Sequence, residues 1–362
     1  MISPNAHLAS LPVYEPGRPI EEVARELGLD ADAIIKLASN ENAFGPSPKA
    51  VKAMRDVLKQ NHLYPDGSGY ELRQAIARKH GLKMEQVVLG NGSNEIIEFI
   101  GHAYLGFGDE MVISQYAFAI YELVARIFQA SVVETPAREY GHDLAAMRQA
   151  ITAKTRVIFV ANPNNPTGTC VSASELEAFI RSVPDHVLVV IDEAYQEFQP
   201  SAPDTSRLIV EKPNLLVMHT FSKAQGLAGL RLGYGLASME VAAALQKVRQ
   251  PFNANLPAQA AGVAALEDEA HIARTVKRVA SGRAFLQKAF ARRKLRCVPS
   301  SANFVLVQVG NGREVFEKLL RHGVIVRPMQ GYKLPEWIRV TVGTPSQNRC
   351  FLKALDAVMA TF

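Results

Sequence analysis

The chain is organised around one stretch, Leu215-Leu-Val-Met-His-Thr-Phe-Ser-Lys-Ala-Gln-Gly-Leu-Ala-Gly-Leu-Arg-Leu-Gly-Tyr234. Its first four residues are apolar and predict a short buried strand. Lys223 follows among small residues, where desolvation would lower the pKa of its amine and free it to attack a carbonyl. Thr220, Ser222 and Arg231 flank this lysine and suit a phosphate dianion. The stretch therefore indicates a ligand with a carbonyl and a phosphate, unless it is a surface loop whose lysine is merely solvated.

Other apolar runs on the N-terminal side of this stretch have the length of buried strands. Residues 187–191 are the most apolar and end at Asp192, residues 157–161 end in an asparagine-rich turn, and residues 87–89 lead into a glycine turn. Ligands of open α/β sheets bind beyond the carboxyl ends of the strands, and the start of a helix after such a turn can hold a phosphate. Strands that alternate with helical segments predict a doubly wound sheet over residues from about 50 to 250.

The remainder of the chain predicts a second lobe. Strands are expected at 303–309, 324–326 and 338–342, with a helix at 313–322, and Arg327 and Arg339 lie at or beside two of these strands. The arginines are either salt-bridged or form an anion clamp. We predict three parts: residues 1–48 as an N-terminal arm and part of the small domain, 49–250 as the large domain, and 251–362 as the C-terminal small domain.

Several helix ends can be predicted from local sequence. Ser47 and Pro48 suit the N-cap and first position of a helix, and Gly28 suits the end of another. Ser68 with Glu71, and Ser172 with Glu175, have the spacing of capping boxes. Pro257 is expected to start one long alanine-rich helix that enters the second lobe.

Composition excludes several classes of protein. The chain has 362 residues, 48% of them hydrophobic, and its 40 basic and 35 acidic residues give a net charge of +5 without runs of like charge. A nucleic-acid surface is therefore not expected. Three cysteines without metal spacing favour free thiols in a reducing compartment, and no metal site is expected. Without an apolar run of membrane-spanning length or a leader pattern, the expected location is the cytoplasm.

Short motifs along nearly the whole chain occur in the order found in one known family. They are Leu37-Ala-Ser-Asn-Glu-Asn42, Gly45-Pro-Ser-Pro48, Tyr64-Pro-Asp-Gly67, Asn162-Pro-Asn-Asn-Pro-Thr-Gly168, Ile191-Asp-Glu-Ala-Tyr195, Ser222-Lys223, Gly229-Leu-Arg231 and Ile338-Arg-Val-Thr-Val-Gly343. Each motif is weak alone, but the ordered set resembles the fold-type-I pyridoxal-phosphate aminotransferases, and within them the histidinol-phosphate aminotransferases. The resemblance implies an α/β fold in which a mostly parallel, seven-stranded, doubly wound sheet forms the large domain beside a smaller α+β domain.

The resemblance implies a role for individual residues. Lys223 would carry pyridoxal 5′-phosphate through a Schiff base and shuttle the proton, Asp192 would pair with the pyridine nitrogen, and Tyr195 would act with them. The other implied cofactor contacts are Asn165 at the ring oxygen, Tyr116 stacked on the ring, and Ser93, Asn94, Thr220, Ser222 and Arg231 at the phosphate. Tyr64 would reach that phosphate from a neighbouring subunit, which implies a homodimer. Substrate contacts would be Arg339, Arg327, Tyr14 and Asn42.

The implied reaction moves an amino group between L-histidinol phosphate and 2-oxoglutarate in histidine biosynthesis. An aromatic amino-acid aminotransferase, a phosphothreonine decarboxylase and a cofactor-binding regulator without turnover are the alternatives. Two places depart from the usual family pattern, Ala43-Phe44 and Gln115-Tyr-Ala-Phe118. Phe44 and Phe118 either widen tolerance towards aromatic substrates or contribute to packing.

Overall fold

A computed structural model describes residues 2–3, 5–11, 13, 17–199 and 201–362. Over these residues the strands are β1 Ile35–Lys36, β2 Val87–Asn91, β3 Glu110–Ser114, β4 Ser131–Thr135, β5 Ala137–Arg138, β6 Gly141–His142, β7 Thr155–Ala161, β8 Leu188–Asp192, β9 Leu215–Thr220, β10 Leu232–Ala237, β11 Phe304–Gln308, β12 Val324–Ile325, β13 Arg327–Pro328 and β14 Trp337–Thr341. The α-helices are α1 Ile20–Leu27, α2 Pro48–Val57, α3 Tyr70–His80, α4 Ser93–Tyr104, α5 Ala119–Ile127, α6 Leu144–Gln149, α7 Ala173–Ser182, α8 Met239–Val248, α9 Leu256–Leu266, α10 Glu269–Arg292, α11 Gly312–Arg321 and α12 Pro345–Met359.

Seven strands form the large sheet, in the order β2-β10-β9-β8-β7-β3-β4. Only β10 runs antiparallel to its neighbours in this sheet, and the other adjacent pairs are parallel. Strands β8 and β9 are buried along their whole length because helices cover both faces of the sheet. The predicted mostly parallel, seven-stranded, doubly wound sheet is confirmed.

The two faces of the sheet belong to two different hydrophobic clusters. Along β8, Val189 and Ile191 join one cluster, whereas Leu188 and Val190 join the other. This alternation follows from the two-residue repeat of a strand, which turns successive side chains to opposite faces. Asp192, which ends β8, and Glu193, which follows it, are therefore expected to face opposite sides of the sheet.

A second, smaller sheet has the antiparallel order β11-β14-β13, and it packs with α10, α11 and α12 around its own core. Beside it, β1 from the N-terminal part of the described chain pairs in parallel with β12 in a separate two-stranded sheet. Helix α9 instead packs against α2 and α3, beside the large sheet. The domain boundaries at residues 48 and 250 stay predictions.

The alanine-rich segment after Pro257 contains two helices, so the prediction of one long helix is wrong. Asn255 caps α9 by accepting from the Ala258 amide at 2.9 Å. Asp268 then interrupts the helical path and caps α10 through the His271 amide at 3.3 Å. The hydroxyl of Ser47 also donates to Asp268, which fixes this break against the start of α2.

The capping predictions had two different outcomes. Ser172 and Glu175 form the predicted capping box at the start of α7. Ser68 and Glu71 do not, because Ser68 donates its hydroxyl to Asp66 and Gly69 occupies the N-cap position. Asp66 accepts instead from the amide of Tyr70 at 2.7 Å, so an aspartate turn starts α3. Among the described residues, none of the helices combines the length and apolar character that membrane crossing requires.

Candidate active site

A cavity of about 590 Å³ lies at the carboxyl edge of the large sheet and extends to the small one. The ends of β7, β8 and β9 meet there with the start of α4, as expected for an open α/β sheet. Its lining brings together eleven of the predicted site residues, Ser93, Asn94, Asn165, Asp192, Tyr195, Thr220, Ser222, Lys223, Arg231, Arg327 and Arg339. Residues that are up to 246 positions apart in sequence (93 to 339) thus share one cavity.

Lys223 follows β9 directly and extends its amine into the cavity. The amine donates to the Ser39 carbonyl oxygen at 3.3 Å. Burial, assisted by the positive charge of Arg339, lowers the pKa of Lys223 to about 8. A larger fraction of this amine is therefore neutral near physiological pH than for an ordinary lysine, and the neutral amine is the form that attacks a carbonyl.

Asp192 is the last residue of β8 and is 7% exposed. Its carboxylate accepts from the Tyr121 hydroxyl at 2.6 Å and from the Ala194 amide at 3.1 Å. Burial raises the pKa of Asp192, whereas these two hydrogen bonds and the charge of Lys223 act in the opposite direction. The carboxylate is thus held in place and suited to a cationic ligand group in a shielded position.

Tyr195 is buried three residues after Asp192. Its hydroxyl accepts from the Asn40 side-chain amide at 2.9 Å, and Lys223 Nζ lies 5.6 Å from its ring centroid. Burial is the main reason why the pKa of Tyr195 is raised. The phenol therefore stays protonated at neutral pH and can donate a hydrogen bond into the cavity.

The opposite end of the cavity has the donors of a phosphate site. Ser93 starts α4 after Gly92, and Arg231 Nη1 lies 3.5 Å from the Ser222 hydroxyl. A Cβ atom at Gly92 would approach Arg231 Nη2 to 2.4 Å, and a Cβ atom at Gly233 would approach the Ser93 amide to 2.2 Å. Glycine at both positions therefore leaves room for Arg231 and the start of α4 to lie close together. This arrangement of a guanidinium beside free helix amides suits a bound dianion.

Arg327 and Arg339 face each other across β13 and β14 as register partners. Both line the cavity. Arg339 is 6% exposed, and its guanidinium donates to the Asn165 side-chain oxygen and to the Ala38 carbonyl oxygen, the latter at 2.9 Å. Two guanidiniums from the small sheet therefore give this end of the cavity a positive potential.

The aromatic residues that follow β3 have different surroundings. Phe118 lines the cavity, whereas the Tyr116 ring stacks on Tyr140 with 5.9 Å between centroids. Tyr116 has a positive φ of 61°, a turn that separates its direction from that of Phe118. The Phe44 ring lies outside the cavity lining and packs 5.3 Å from the guanidinium carbon of Arg278. Ring stacking by Tyr116 stays a prediction, and Phe118 lines the cavity together with Tyr121, Tyr195 and Tyr332.

The last three predicted residues are placed as follows. The Asn42 side chain holds its own loop by donating to the Ala224 carbonyl oxygen at 3.0 Å, next to Lys223. Tyr64 is 81% exposed and stacks on Phe252 at 4.6 Å. Tyr14 lies outside the described residues. The roles predicted for these three side chains stay predictions.

Sequence reasoning missed two residues that orient the predicted ones. Tyr121 holds Asp192, and Asn40 holds Tyr195. Asn40 is part of the motif at residues 37–42, and its φ of 55° is a backbone conformation that favours asparagine and glycine. Tyr121 lies three residues after Phe118, so both side chains face the same side of the first turn of α5. That spacing is the only sequence signal for Tyr121.

Comparison with known proteins agrees with this geometry. The family model for aminotransferase class I and II matches residues 32–355. A histidinol-phosphate aminotransferase of Akkermansia muciniphila is 49% identical over 98% of this chain and 98% of its own length. Histidinol-phosphate aminotransferase 2 of Pseudomonas fluorescens Pf-5 is 49% identical over 96% of this chain and 95% of its own.

Solved structures are similar over the same length. A histidinol-phosphate aminotransferase of Sinorhizobium meliloti, in complex with pyridoxal-5′-phosphate, superposes with a TM-score of 0.90 at 28% identity, covering 98% of this chain and 97% of its own. The chain belongs to the class I and II aminotransferases, and within them to the histidinol-phosphate aminotransferase family. It is therefore an enzyme that transfers amino groups.

Proposed function

We propose that this chain uses pyridoxal 5′-phosphate to move an amino group between L-histidinol phosphate and 2-oxoglutarate, giving imidazole acetol phosphate and L-glutamate in histidine biosynthesis. One observation carries the proposal: a lysine with a pKa lowered to about 8 shares a cavity with a buried carboxylate and a cluster of phosphate donors. The name shared by relatives that are 49% identical over nearly the whole chain supports the choice of substrate.

The cavity residues fit this cofactor in charge and in space. When bound, pyridoxal phosphate withdraws electrons from the substrate α-carbon. Asp192 would keep a proton on the pyridine nitrogen, and Tyr195 and Asn165 would hydrogen-bond the ring oxygen. The helix start at Ser93 and Asn94, with Thr220, Ser222 and Arg231, would hold the phosphate. Lys223 Nζ would move the proton at the substrate α-carbon, which its lowered pKa favours because the acid and base forms are both accessible.

The two arginines of the small sheet would select the second charged group of each substrate. Arg339 would bind the α-carboxylate of glutamate or 2-oxoglutarate, and it would bind the phosphate of histidinol phosphate together with Arg327. Guanidinium groups suit both anions because a pair of parallel N–H groups matches a pair of oxygens. Their cross-strand pairing supports this shared use, since it puts both cations beside one part of the cavity.

The alternative functions have less support. Phe118 at the cavity would tolerate an aromatic substrate, but the relatives at 49% identity carry the histidinol-phosphate name. A solved phosphothreonine decarboxylase of Porphyromonas gingivalis is 22% identical, and at that level the similarity concerns the fold alone.

The homodimer is part of the proposal. Apolar side chains are exposed together near the start of α3 and the end of α2, and they would be covered by a second copy. They are Leu58 (55% exposed), Leu63 (59%), Tyr64 (81%), Tyr70 (47%) and Phe252 (43%). A dimer in sedimentation velocity that Tyr64→Asp weakens would support this arrangement.

The first test is the half-reaction of the purified, cofactor-loaded enzyme without a keto acid. We expect histidinol phosphate to bleach the absorbance of the bound cofactor within one turnover and to leave imidazole acetol phosphate as product. Equal bleaching by phenylalanine would instead indicate a broad aromatic aminotransferase. Release of carbon dioxide from phosphothreonine would indicate a decarboxylase.

Arg327→Ala tests the phosphate contact separately from the chemistry. We expect kcat/KM for histidinol phosphate to fall roughly tenfold to a hundredfold, because a charge-assisted contact is lost. The half-reaction with phenylalanine should change less than threefold, about 0.6 kcal/mol. Equal losses for the two substrates would contradict a phosphate contact at Arg327, and Arg25→Ala on the exposed side of α1 is the matched control.

A further inference from the structure

A second cavity lies outside the active site, between α10 and the start of α12. Its volume is about 740 Å³, and the loop after Asn42 closes one side of it. We call it the basic groove and define it by its charged and aromatic lining residues, Phe44, Arg274, Lys277, Arg278, Phe285 and Arg349. The aminotransferase mechanism does not use any of these six side chains.

The basic groove has an unbalanced charge. Four of its described lining residues are cationic and none is acidic. None of the described carboxylates lies within ion-pair distance of these four cations, and α10 has no acidic residue from 270 to 292. The whole chain has 40 basic and 35 acidic residues, so an average surface of this protein would offer nearby counter-charges. The described lining of the groove therefore carries a net positive charge that a bound anion would neutralise.

Without a bound anion, repulsion among these cations lowers the free energy of unfolding. Arg274, Lys277 and Arg278 have the spacing that places side chains on one face of a helix, where like charges repel. Arg349 adds a fourth positive charge from α12. An ordinary solvated helix face alternates its charges, whereas this face does not. A ligand with several negative charges would remove the repulsion and bind four cations at once.

Two aromatic rings give the same cavity an apolar part. The guanidinium carbon of Arg278 lies 5.3 Å from the Phe44 ring centroid, which leaves the arginine stacked over the ring. Phe285 is 43% exposed and lies two turns further along α10. Rings and stacked guanidiniums bind the faces of flat heterocycles, whereas a purely anionic ligand would have no use for them.

We infer that the basic groove binds a nucleoside polyphosphate, with its phosphates on the four cations and its base against the two phenylalanine rings. The ligand class follows from the combination of a polyanion and a flat ring in one molecule. The inference does not depend on the substrate proposed for the active site, because the groove and the active-site cavity share no described lining residue.

The test is a calorimetric titration of ATP into the full chain loaded with pyridoxal phosphate and treated with borohydride. Reduction makes the cofactor linkage permanent, so that the phosphate donors around Arg231 are not available to ATP. We expect one ATP per chain, weaker binding of inorganic tripolyphosphate, and adenosine binding that is weaker still. Absence of ATP binding, or adenosine binding as tight as that of ATP, would overturn the inference.

Matched variants locate the binding. Lys277→Gln combined with Arg278→Gln should weaken ATP binding by at least roughly tenfold. Lys288→Gln changes one charge on an exposed position of the same helix outside the groove and should leave ATP affinity unchanged. If the double variant kept full affinity, or if Lys288→Gln weakened ATP equally, the groove would not be the site. If a short oligoadenylate bound more tightly than ATP, the inference that the ligand is a free nucleotide would also be wrong.

Discussion

Two neighbouring carboxylates at the end of β8 have opposite surroundings. Asp192 faces the active-site cavity, where the Tyr121 hydroxyl, the Ala194 amide and the charge of Lys223 favour its ionised form. Glu193 faces the other side of the sheet and is 2% exposed. There it accepts from the Thr205 hydroxyl, and its other oxygen lies 3.4 Å from His219 Nε2.

Burial acts on both carboxyl groups and hydrogen-bond donors oppose it at both, but a lysine charge also opposes it at Asp192, whereas neighbouring carboxylates add to it at Glu193. Burial raises the pKa of Glu193 well above the usual value, and it lowers the pKa of His219 well below its usual value. Glu193 and His219 lie in a packed cluster with His80 and Tyr234. Burial raises the pKa of both carboxyl groups, and it does so less at Asp192, where two donors and a nearby lysine favour the ionised form, than at Glu193.

Lys223→Ala should have the largest effect on the cavity side. Because the variant has no amine to bind the cofactor carbonyl or to move the proton, we expect transamination to fall at least roughly a thousandfold. Steady-state assays with a detection limit below that level check the loss. Near-normal turnover would contradict the role of the lysine, and circular dichroism would show that the fold is kept.

Exchange of the two carboxylates for amides tests the comparison directly. Asp192→Asn should lower kcat by about a hundredfold or more while the cofactor stays bound, because a neutral amide does not keep a proton on the pyridine nitrogen. Glu193→Gln should keep kcat within roughly threefold, since this side chain is not part of the active-site lining. Similar losses in both variants would mean that the two faces of the sheet do not differ as described.

Tyr121→Phe should have an intermediate effect through Asp192. Loss of a hydrogen bond to a carboxylate is worth about 1.5–3 kcal/mol, and it should raise the pKa of Asp192, because the ionised form loses its donor. We expect kcat to fall roughly tenfold, with the acid limb of the pH profile shifted to higher pH. A lower kcat with an unchanged profile would assign Tyr121 a purely structural role.

Arg339→Gln should shift a pH midpoint. Below pH 8 the Lys223 amine is mostly protonated, so the rate at which the cofactor-free enzyme binds pyridoxal phosphate should rise with pH, with a midpoint near 8, and level off above it. Removal of the arginine charge raises the pKa of the lysine, and the curve should therefore move to higher pH. Absorbance kinetics between pH 6 and 10 would measure this shift of the midpoint, which should be about one pH unit at most. Glu193→Gln should leave the midpoint in place, and a shift to lower pH in Arg339→Gln would contradict the electrostatic account.

Much of the site could be predicted because its residues lie at strand ends that the sequence marks clearly. Val187 to Asp192 and Leu215 to Lys223 each pair an apolar run with a polar terminus, and in a parallel sheet such termini meet at one edge. Asn40 and Tyr121 were missed because they act on other side chains through hydrogen bonds, and their partners are 155 and 71 residues away. Such pairs have no local pattern.

At Phe118 and Asp66 the local sequence did not predict which side chain makes the contact. The backbone turn at Tyr116 decides which of two nearby aromatic residues reaches the cavity. Likewise, Asp66 takes the hydroxyl of Ser68 that the predicted capping box required. Both outcomes depend on backbone angles that the identity of the residues leaves open.

The sequence by itself determined the alternation of strands and helices, the doubly wound sheet, and the strand ends at which the lysine, aspartate and arginine lie, whereas the number of seven strands followed from the resemblance to a known family. Periodic hydrophobicity and strand termini suffice for the alternation and the strand ends, because burial has a fixed geometric repeat in each type of element. Only the tertiary structure decided that Arg327 and Arg339 are cross-strand partners, that burial raises the pKa of Glu193 more than that of Asp192, and that four cations share one groove. Those features depend on distances between residues remote in sequence, and electrostatic free energy depends on such distances and on burial.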